Sequence, residues 1–285
     1  MDLTSSKTIK ELFSRYGTRP SKGLGQNFLI DKNILKKIIS TAEIKTDDTI
    51  LEVGPGIGTL TAELAQKAKK VISIEKDKTM VEILKETLKD YKNIEVINAD
   101  ILKINPKTYT LNPYKIVANI PYYLTSPLIR KFLEEKNPPQ EIILMMQKEV
   151  AQRICAKPPS MSLLAVSVQF YAEPKIISYV SKNCFWPAPK VDSAIIKIIP
   201  YRSPASGRSP ASVQNFFSIV KAGFSQPRKQ LAGNLSKLLK LDKKIVESWL
   251  LENNIKPIQR AETLSIENWK NLTKSLSIST EARHL

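Results

Sequence analysis

Histidine is nearly absent from this chain of 285 residues; the single one, His284, stands next to the C-terminus. Chemistry built on a histidine base or on a histidine metal cluster is thereby excluded. The two cysteines, Cys155 and Cys184, cannot form a disulfide framework and suit a reducing compartment. No apolar run approaches the roughly 18 residues that a bilayer span requires. The first ten residues lack an apolar stretch, and Asp2 and Glu11 are acidic, so they do not read as a targeting peptide. A cytoplasmic protein with no membrane partner is expected. Disorder is excluded as the dominant state, because 42% of the residues are apolar and can build a core.

Negative charge is the scarcer sign. Lys and Arg number 44 against 27 Asp and Glu, a formal charge of +17. That balance favours a polyanionic partner, nucleic acid or an acidic membrane surface, over a merely solubilising lysine-rich surface. Residues 201–285 carry 14 basic and 6 acidic side chains, and residues 1–200 carry 30 and 21. The tail is therefore about twice as basic per residue.

Short apolar runs alternate with helix-like stretches over the first 150 residues. Thr49–Val53, Val71–Glu75, Ile94–Asn98, Lys115–Ile120 and Glu141–Met146 read as buried strands. Thr59–Ala68, Asp77–Asp90 and Ser126–Glu135 read as helices, with Asp77 and Ser126 as N-caps and Pro127 supporting the second. This alternation predicts an α/β fold, a parallel sheet with helices on both faces. Lys175–Val180 and Ser193–Ile199 follow as a strand pair for the sheet edge. Tyr201–Ser212, YRSPASGRSPAS, has linker composition. Beyond it the pattern is helical only: Val213, Phe216, Phe217, Val220 and Phe224 recur at helical spacing, as do Ile245 with Trp249 and Ile266 with Trp269, Leu272 and Leu276. Two domains are expected, residues 1–202 and a small all-helical domain at 203–285.

Chemistry concentrates at the predicted strand ends. ILEVGPGIGTL places Gly54, Gly56 and Gly58 between a strand and a helix, where glycine lets the backbone turn and approach a ligand closely. The spacing is G-x-G-x-G, and Thr59 occupies the position where a dinucleotide fingerprint needs its third glycine. Glu75 closes the next strand, where an acid meets ribose hydroxyls, and Asp100 closes the third. The fourth strand ends in Asn119-Ile120-Pro121-Tyr122. An aromatic amine is a poor nucleophile, because its lone pair is delocalised into the ring. The Asn119 side-chain oxygen and the Ile120 carbonyl can accept from its two N–H groups and draw the nitrogen towards tetrahedral geometry. Pro121 stiffens that turn, and Tyr122 offers a flat face to an extracted base.

From about Lys22 to Leu276 the chain resembles the small-subunit ribosomal RNA adenine N6,N6-dimethyltransferases. The resemblance rests on Gly25-Gln26-Asn27-Phe28-Leu29, Glu52–Gly58, Asn98-Ala99-Asp100, Asn119–Tyr122, the Phe185–Ser193 stretch FWPAPKVDS and Phe224–Lys229, FSQPRK, all in the family's order. It implies a Rossmann-like class I methyltransferase sheet and S-adenosyl-L-methionine as methyl donor. It also implies two adjacent adenines near the 3′ end of 16S-type RNA, in an immature small subunit, as substrate, and an enzyme acting as a monomer. By resemblance, Asn27 and Leu29 close over the donor and Gly54 underlies its amino-acid part. Glu75 holds its ribose, Asp100 reads its adenine amine, and Asn119 stands at the methyl group. Tyr122 and Phe185 sandwich the target adenine. Lys221, Arg228 and Lys229 are candidates for RNA contact.

Two positions depart from the family pattern. Pro227 stands where a basic residue is usual, and Ile120 where leucine is commoner. Transfer from a sulfonium is an in-line displacement that needs positioning rather than a metal or a covalent intermediate. Three other functions compete: a large-subunit RNA adenine methyltransferase of the macrolide-resistance type, a non-catalytic ribosome-assembly or transcription factor, and a small-molecule methyltransferase. The FSQPRK region, the intact acids and Asn119, and the basic tail respectively argue against them.

Overall fold

The computed structural model describes residues 1–105, 113–201 and 209–281. His284 and residues 202–208 of the expected linker lie outside them. In chain order the elements are α1 (Ser6–Arg15), β1 (Phe28–Leu29), α2 (Lys32–Thr41), β2 (Thr49–Val53), α3 (Thr59–Ala65), β3 (Lys70–Glu75), α4 (Lys78–Thr87), β4 (Ile94–Asn98), β5 (Lys115–Asn119), α5 (Thr125–Leu133), β6 (Ile142–Gln147), α6 (Lys148–Ile154), α7 (Leu163–Gln169), β7 (Ala172–Val180), β8 (Phe185–Trp186) and β9 (Ser193–Pro200). The helices α8 (Pro210–Gly223), α9 (Leu231–Leu239), α10 (Lys243–Glu252) and α11 (Ile266–Glu281) follow.

Seven strands form one mixed sheet in the order β4-β3-β2-β5-β6-β9-β7. The pairs β2–β3, β3–β4, β2–β5 and β5–β6 are parallel, and β9 runs antiparallel to β6. β2, β3, β5 and β6 are almost wholly buried, which explains their unbroken apolar texture. β4 differs from expectation: as an edge strand it is only half-buried and partly polar. The chain lays β3 and β4 to one side of β2 and then returns to place β5 on the other. The order reverses there, and a crevice opens at the carboxyl ends.

Local chemistry fixes the helix starts. Asp77 caps α4 by accepting from the Thr79 N–H, and Asp31 caps α2 through Asn33 and Ile34. Ser126 is not a cap. A single 3₁₀ turn, Tyr122–Leu124, already winds the chain, and α5 begins at Thr125, whose hydroxyl donates to the Tyr122 carbonyl. Pro127 is accommodated in the first turn, where N–H groups have no intrahelical partner.

By packing, the chain divides into two compact units, Met1–Ala151 with Pro174–Pro200, and Gln152–Glu173 with Tyr201–Leu285. The sequence reading puts one boundary after residue 202; packing adds Gln152–Glu173 to the second unit. The cause is aromatic. Phe170 stacks on Phe216 at 4.1 Å and meets Phe217 edge-on at 5.2 Å, while Tyr171 stacks on Phe217. Trp249 and Trp269 are core residues of this unit, whereas Ile245 is exposed.

The first unit buries an ion cluster at the entry of β5. Lys115 Nζ lies 2.9 Å from Asp48 and 3.0 Å from Glu141, and donates to the Ala42 and Glu43 carbonyls. Lys197 lies 2.9 Å from the other Glu141 oxygen. Burial lowers the pKa of both lysines, but the carboxylates outweigh it and raise them. Removing one partner strands the others in a poorly solvated site. Lys115→Met should therefore cost about 3–5 kcal/mol of stability, read as a lower urea midpoint with an unchanged slope.

Candidate active site

The crevice at the strand ends is lined by Asn27, Leu29, Gly54, Glu75, Asp100, Asn119, Ile120, Pro121, Tyr122 and Phe185 together. It is an open crevice whose floor is formed by the strand ends and the glycine loop. The ten positions come from six segments and meet only because β2, β3, β4, β5 and the β1–β8 ribbon end on the same side.

The glycine loop turns as its composition requires. Gly54, Gly56 and Gly58 all hold positive φ, between 59° and 91°. A Cβ on Gly56 would lie 3.0 Å from the Phe28 ring, and one on Gly54 would lie 3.4 Å from Pro121. The loop is thus close against both the β1 segment and the turn after β5 and lines the cavity floor with its backbone.

Three acids stand round this floor in different states. The Glu52 side chain is almost fully buried and accepts from Ser73 Oγ at 2.8 Å. Burial pushes its carboxyl from 4.5 to about 7, with the neighbouring Glu75 adding to the rise. Glu75 is also buried, but it accepts from the Gly56 N–H at 3.2 Å and the Asp77 N–H at 2.8 Å. Burial raises its pKa against these two donors. Each of its oxygens has accepted one hydrogen bond, so a second lone pair on each remains for hydroxyl donors. Asp100 accepts from the Leu102 N–H and lies 3.1 Å from Lys76 Nζ. Burial raises this carboxyl, but Lys76 and Leu102 outweigh it and lower it.

Asn119 ends β5, where its side-chain Nδ2 donates to the Asn27 carbonyl at 3.3 Å. That bond engages the amide nitrogen and leaves the oxygen free to accept. Ile120 donates its N–H to Met145, and no described hydrogen bond uses its carbonyl. Two acceptors therefore lie one residue apart at the strand end. Pro121 packs against Gly25 and Gly54 and accepts from the Leu124 N–H, which tightens the turn. Tyr122 is half-buried and shares a hydrogen bond of 2.9 Å with the Ser193 hydroxyl.

The GQNFL segment is held over the sheet by polar ties. Gln26 accepts from the Ser21 N–H and donates to Asp77 at 2.8 Å; Asn27 donates to the Gly25 carbonyl. β1 pairs antiparallel with β8, placing Leu29 opposite Phe185 and Phe28 opposite Trp186. Phe185 reaches the cavity wall, yet it is 4% exposed and packs into the core with Leu29.

Lys221, Arg228 and Lys229 belong to the second unit and do not line the cavity. All three are exposed, Lys221 in the last turn of α8 and the others in the turn before α9. Asn234 pins that turn by donating to the Gly223 and Gln226 carbonyls. Among the described residues none of the three basic side chains enters an ion pair. Sequence reasoning passes over Lys76, Gln26 and Tyr123, which also line the cavity. Gln26 stands inside a motif segment; Lys76 carries no spacing signal, because only the fold brings it to Asp100. Among the described residues no group of three or more His, Cys, Asp or Glu side chains could hold a metal ion, and no helix is long and apolar enough to cross a membrane.

A family model described as ribosomal RNA adenine dimethylase matches residues 18–276. The chain is 45% identical over 266 residues to the ribosomal RNA small subunit methyltransferase A of Dehalococcoides mccartyi strain CBDB1, covering 92% of this chain and 90% of that one. It is 42% identical to the protein of the same name in Clostridioides difficile, over 99% of both. Among solved structures it is similar to a dimethyladenosine transferase from Plasmodium falciparum, with a TM-score of 0.74, 29% identity and coverage of 88% of this chain and 97% of that one. The crystal structure of the 23S rRNA methyltransferase ErmE matches with a TM-score of 0.72 and 31% identity, covering 88% of this chain and all of that one.

The state of Glu52 gives a pH signature. The folded protein keeps its proton up to about pH 7, whereas an ordinary glutamate keeps it only to 4.5. Between these values the folded state binds more protons at Glu52, so this group's contribution to stability is fully present below pH 4.5 and is lost as pH rises through 7. The loss is on the order of 3 kcal/mol. Urea unfolding at pH 5 and pH 8 should show this fall in the wild type, and Glu52→Gln should abolish most of it.

Proposed function

Because the chain belongs to the ribosomal RNA adenine dimethylase family, we propose that it dimethylates N6 of two adjacent adenines near the 3′ end of small-subunit ribosomal RNA, with S-adenosyl-L-methionine as donor. The observation that supports this reading is the Asn119 amide at the cavity wall: its nitrogen is engaged by the Asn27 carbonyl, which leaves its oxygen to accept, and Ile120 lines the same cavity beside it. Two adjacent acceptors suit the two N–H groups of an exocyclic amine.

The residues present fit the donor. Gly54 and Gly56 bring backbone close to where its amino-acid part would lie. Glu75 keeps acceptor capacity for ribose hydroxyls, and Asp100 keeps it for an amine. Asn27 and Leu29 would close the site. When bound, the donor supplies a methyl group activated by an adjacent sulfonium.

The chain's own part is to orient and polarise the acceptor. Asn119 Oδ1 and the Ile120 carbonyl receive the amine's hydrogens and localise its lone pair. The tertiary structure holds both acceptors before the substrate arrives, so little reorganisation is needed. Pro121 sets their angle. Tyr122, tied to Ser193, and Phe185, which lines the same cavity, sandwich the flipped base. Once the amine has been methylated it is acidic, and its proton can leave to water.

The small-subunit substrate is supported by the names of the relatives in sequence. The fold alone is shared with a large-subunit enzyme. The basic second unit supports a docking role, with Lys221, Arg228 and Lys229 as phosphate contacts and Pro227 removing one such contact. A cytoplasmic, monomeric enzyme completes the reading.

Asn119→Ala should keep donor affinity in calorimetry and slow methyl transfer to immature small subunits by about 10²-fold. Wild-type turnover by this variant would remove Asn119 from the reaction. Replacing both Arg228 and Lys229 with glutamine should flatten the salt dependence of subunit binding by about 0.7–0.9 log units per lost contact. Filter binding at several salt concentrations measures this, with donor affinity unchanged as the control.

A further inference from the structure

We propose that Tyr123 is a second base platform at the cavity mouth, which stacks the nucleobase adjoining the target adenine. The inference rests on the RNA-methylating reading above and deepens it by assigning the neighbouring nucleotide a place.

Tyr122 and Tyr123 are consecutive residues of one 3₁₀ turn. Such a turn has about three residues per turn, so successive side chains diverge by roughly 120°. The two rings are accordingly used differently. Tyr122 is drawn inward by Ser193 and is half-buried. Tyr123 lines the same cavity yet is 51% exposed, and its hydroxyl has no hydrogen-bond partner among the described residues. What sets Tyr123 apart from other half-exposed aromatics is its place at the rim of the cavity, where an arriving base would meet it. Lys76 stands at the same rim, within electrostatic reach of Tyr123, with about half its side chain exposed. An aromatic ring beside a cation is the pair of features that holds a nucleotide of a single strand: the base stacks and the phosphate is neutralised.

A donor adenine is the rival occupant. The acceptors read for the donor, Glu75 and Asp100, are at or near the ends of β3 and β4, whereas Tyr123 follows the β5 turn that carries the target pocket. Tyr123 is thus one residue from the proposed target face, on the order of the spacing of successive bases. With two adjacent adenines as substrate, the partner of whichever adenine is flipped rests on Tyr123. Completing both sites then depends on this ring.

The test compares wild type, Tyr123→Ala and Tyr123→Phe on immature small subunits. Mass spectrometry scores mono- and dimethylation at each adenine, and calorimetry follows donor affinity. Tyr123→Ala should bind donor as the wild type does and melt at the same temperature. Its rate of reaching the fully modified product should fall roughly tenfold, within the range expected for one lost base stack, with singly modified adenines accumulating. Tyr123→Phe, which keeps the ring, should restore the wild-type pattern. An unchanged product pattern in Tyr123→Ala overturns the inference. So does a tenfold loss of donor affinity, which would assign the ring to the donor site. A wild type that transfers no methyl group to small subunits overturns the underlying reading, and this inference with it.

Discussion

The parallel pairing of β5 with β2 is the constraint on which the site depends. Ile50 and Leu51 lie opposite Lys115 and Ile116. That register brings the end of β5 beside the glycine loop that leaves β2. Every other feature of the cavity follows. Pro121 can pack on Gly54 only because the two turns emerge side by side, and a side chain on Gly54 would crowd it. The Asn119 amide can be oriented by Asn27, 92 residues earlier in the chain, only because the GQNFL segment is laid across the same edge. The pairing is anchored at its opposite end by Lys115, which enters β5 in the buried ion cluster with Asp48 and Glu141.

Burial and hydrogen bonding give the acids separate duties from one side-chain chemistry. Glu52 is raised by desolvation to about 7, against the Thr61 and Ser73 hydroxyls that lower it. Glu75, also raised by burial, is held by two backbone N–H groups that favour its charged form. Asp100, nearer to solvent, is lowered because Lys76 faces it. The acids of the cavity are thus graded from deep to shallow. A ligand carrying hydroxyls and an amine meets acceptors that already have part of their capacity engaged, which narrows the geometries they accept.

The second unit solves a different problem with aromatic packing. Phe170 and Tyr171, at the end of α7 and beside it, stack with Phe216 and Phe217 of α8. Gly223 is fitted under the Trp269 ring, where any side chain would collide. A rigid core leaves the turn before α9 free to display Arg228 and Lys229, with Asn234 holding its carbonyls. The ten predicted cavity residues lie in the first unit and Lys221, Arg228 and Lys229 in the second, so the two sets can be altered separately.

The sequence by itself determined the parallel core strands, because a strand buried on both faces must be continuously apolar, and β2, β3, β5 and β6 are. It also determined the glycine loop and the strand-end positions of Glu75, Asp100 and Asn119, since turns and strand ends have local signatures. Three-dimensional packing decided the remainder. Ser126 reads as a cap until the 3₁₀ turn at Tyr122–Leu124 is seen to wind the chain before it. β4 reads as buried until its edge position leaves half of it in water. Phe185 reads as a residue of a Pro-rich loop until its pairing across from Leu29 places it both in the core and at the cavity wall. Lys76 against Asp100, Asn27 against Asn119 and Phe170 against Phe216 carry no periodicity at all. Each is a contact between residues far apart or differently placed in the chain, and local sequence encodes torsional and hydrophobic preference, whereas such contacts are set by which strands lie side by side.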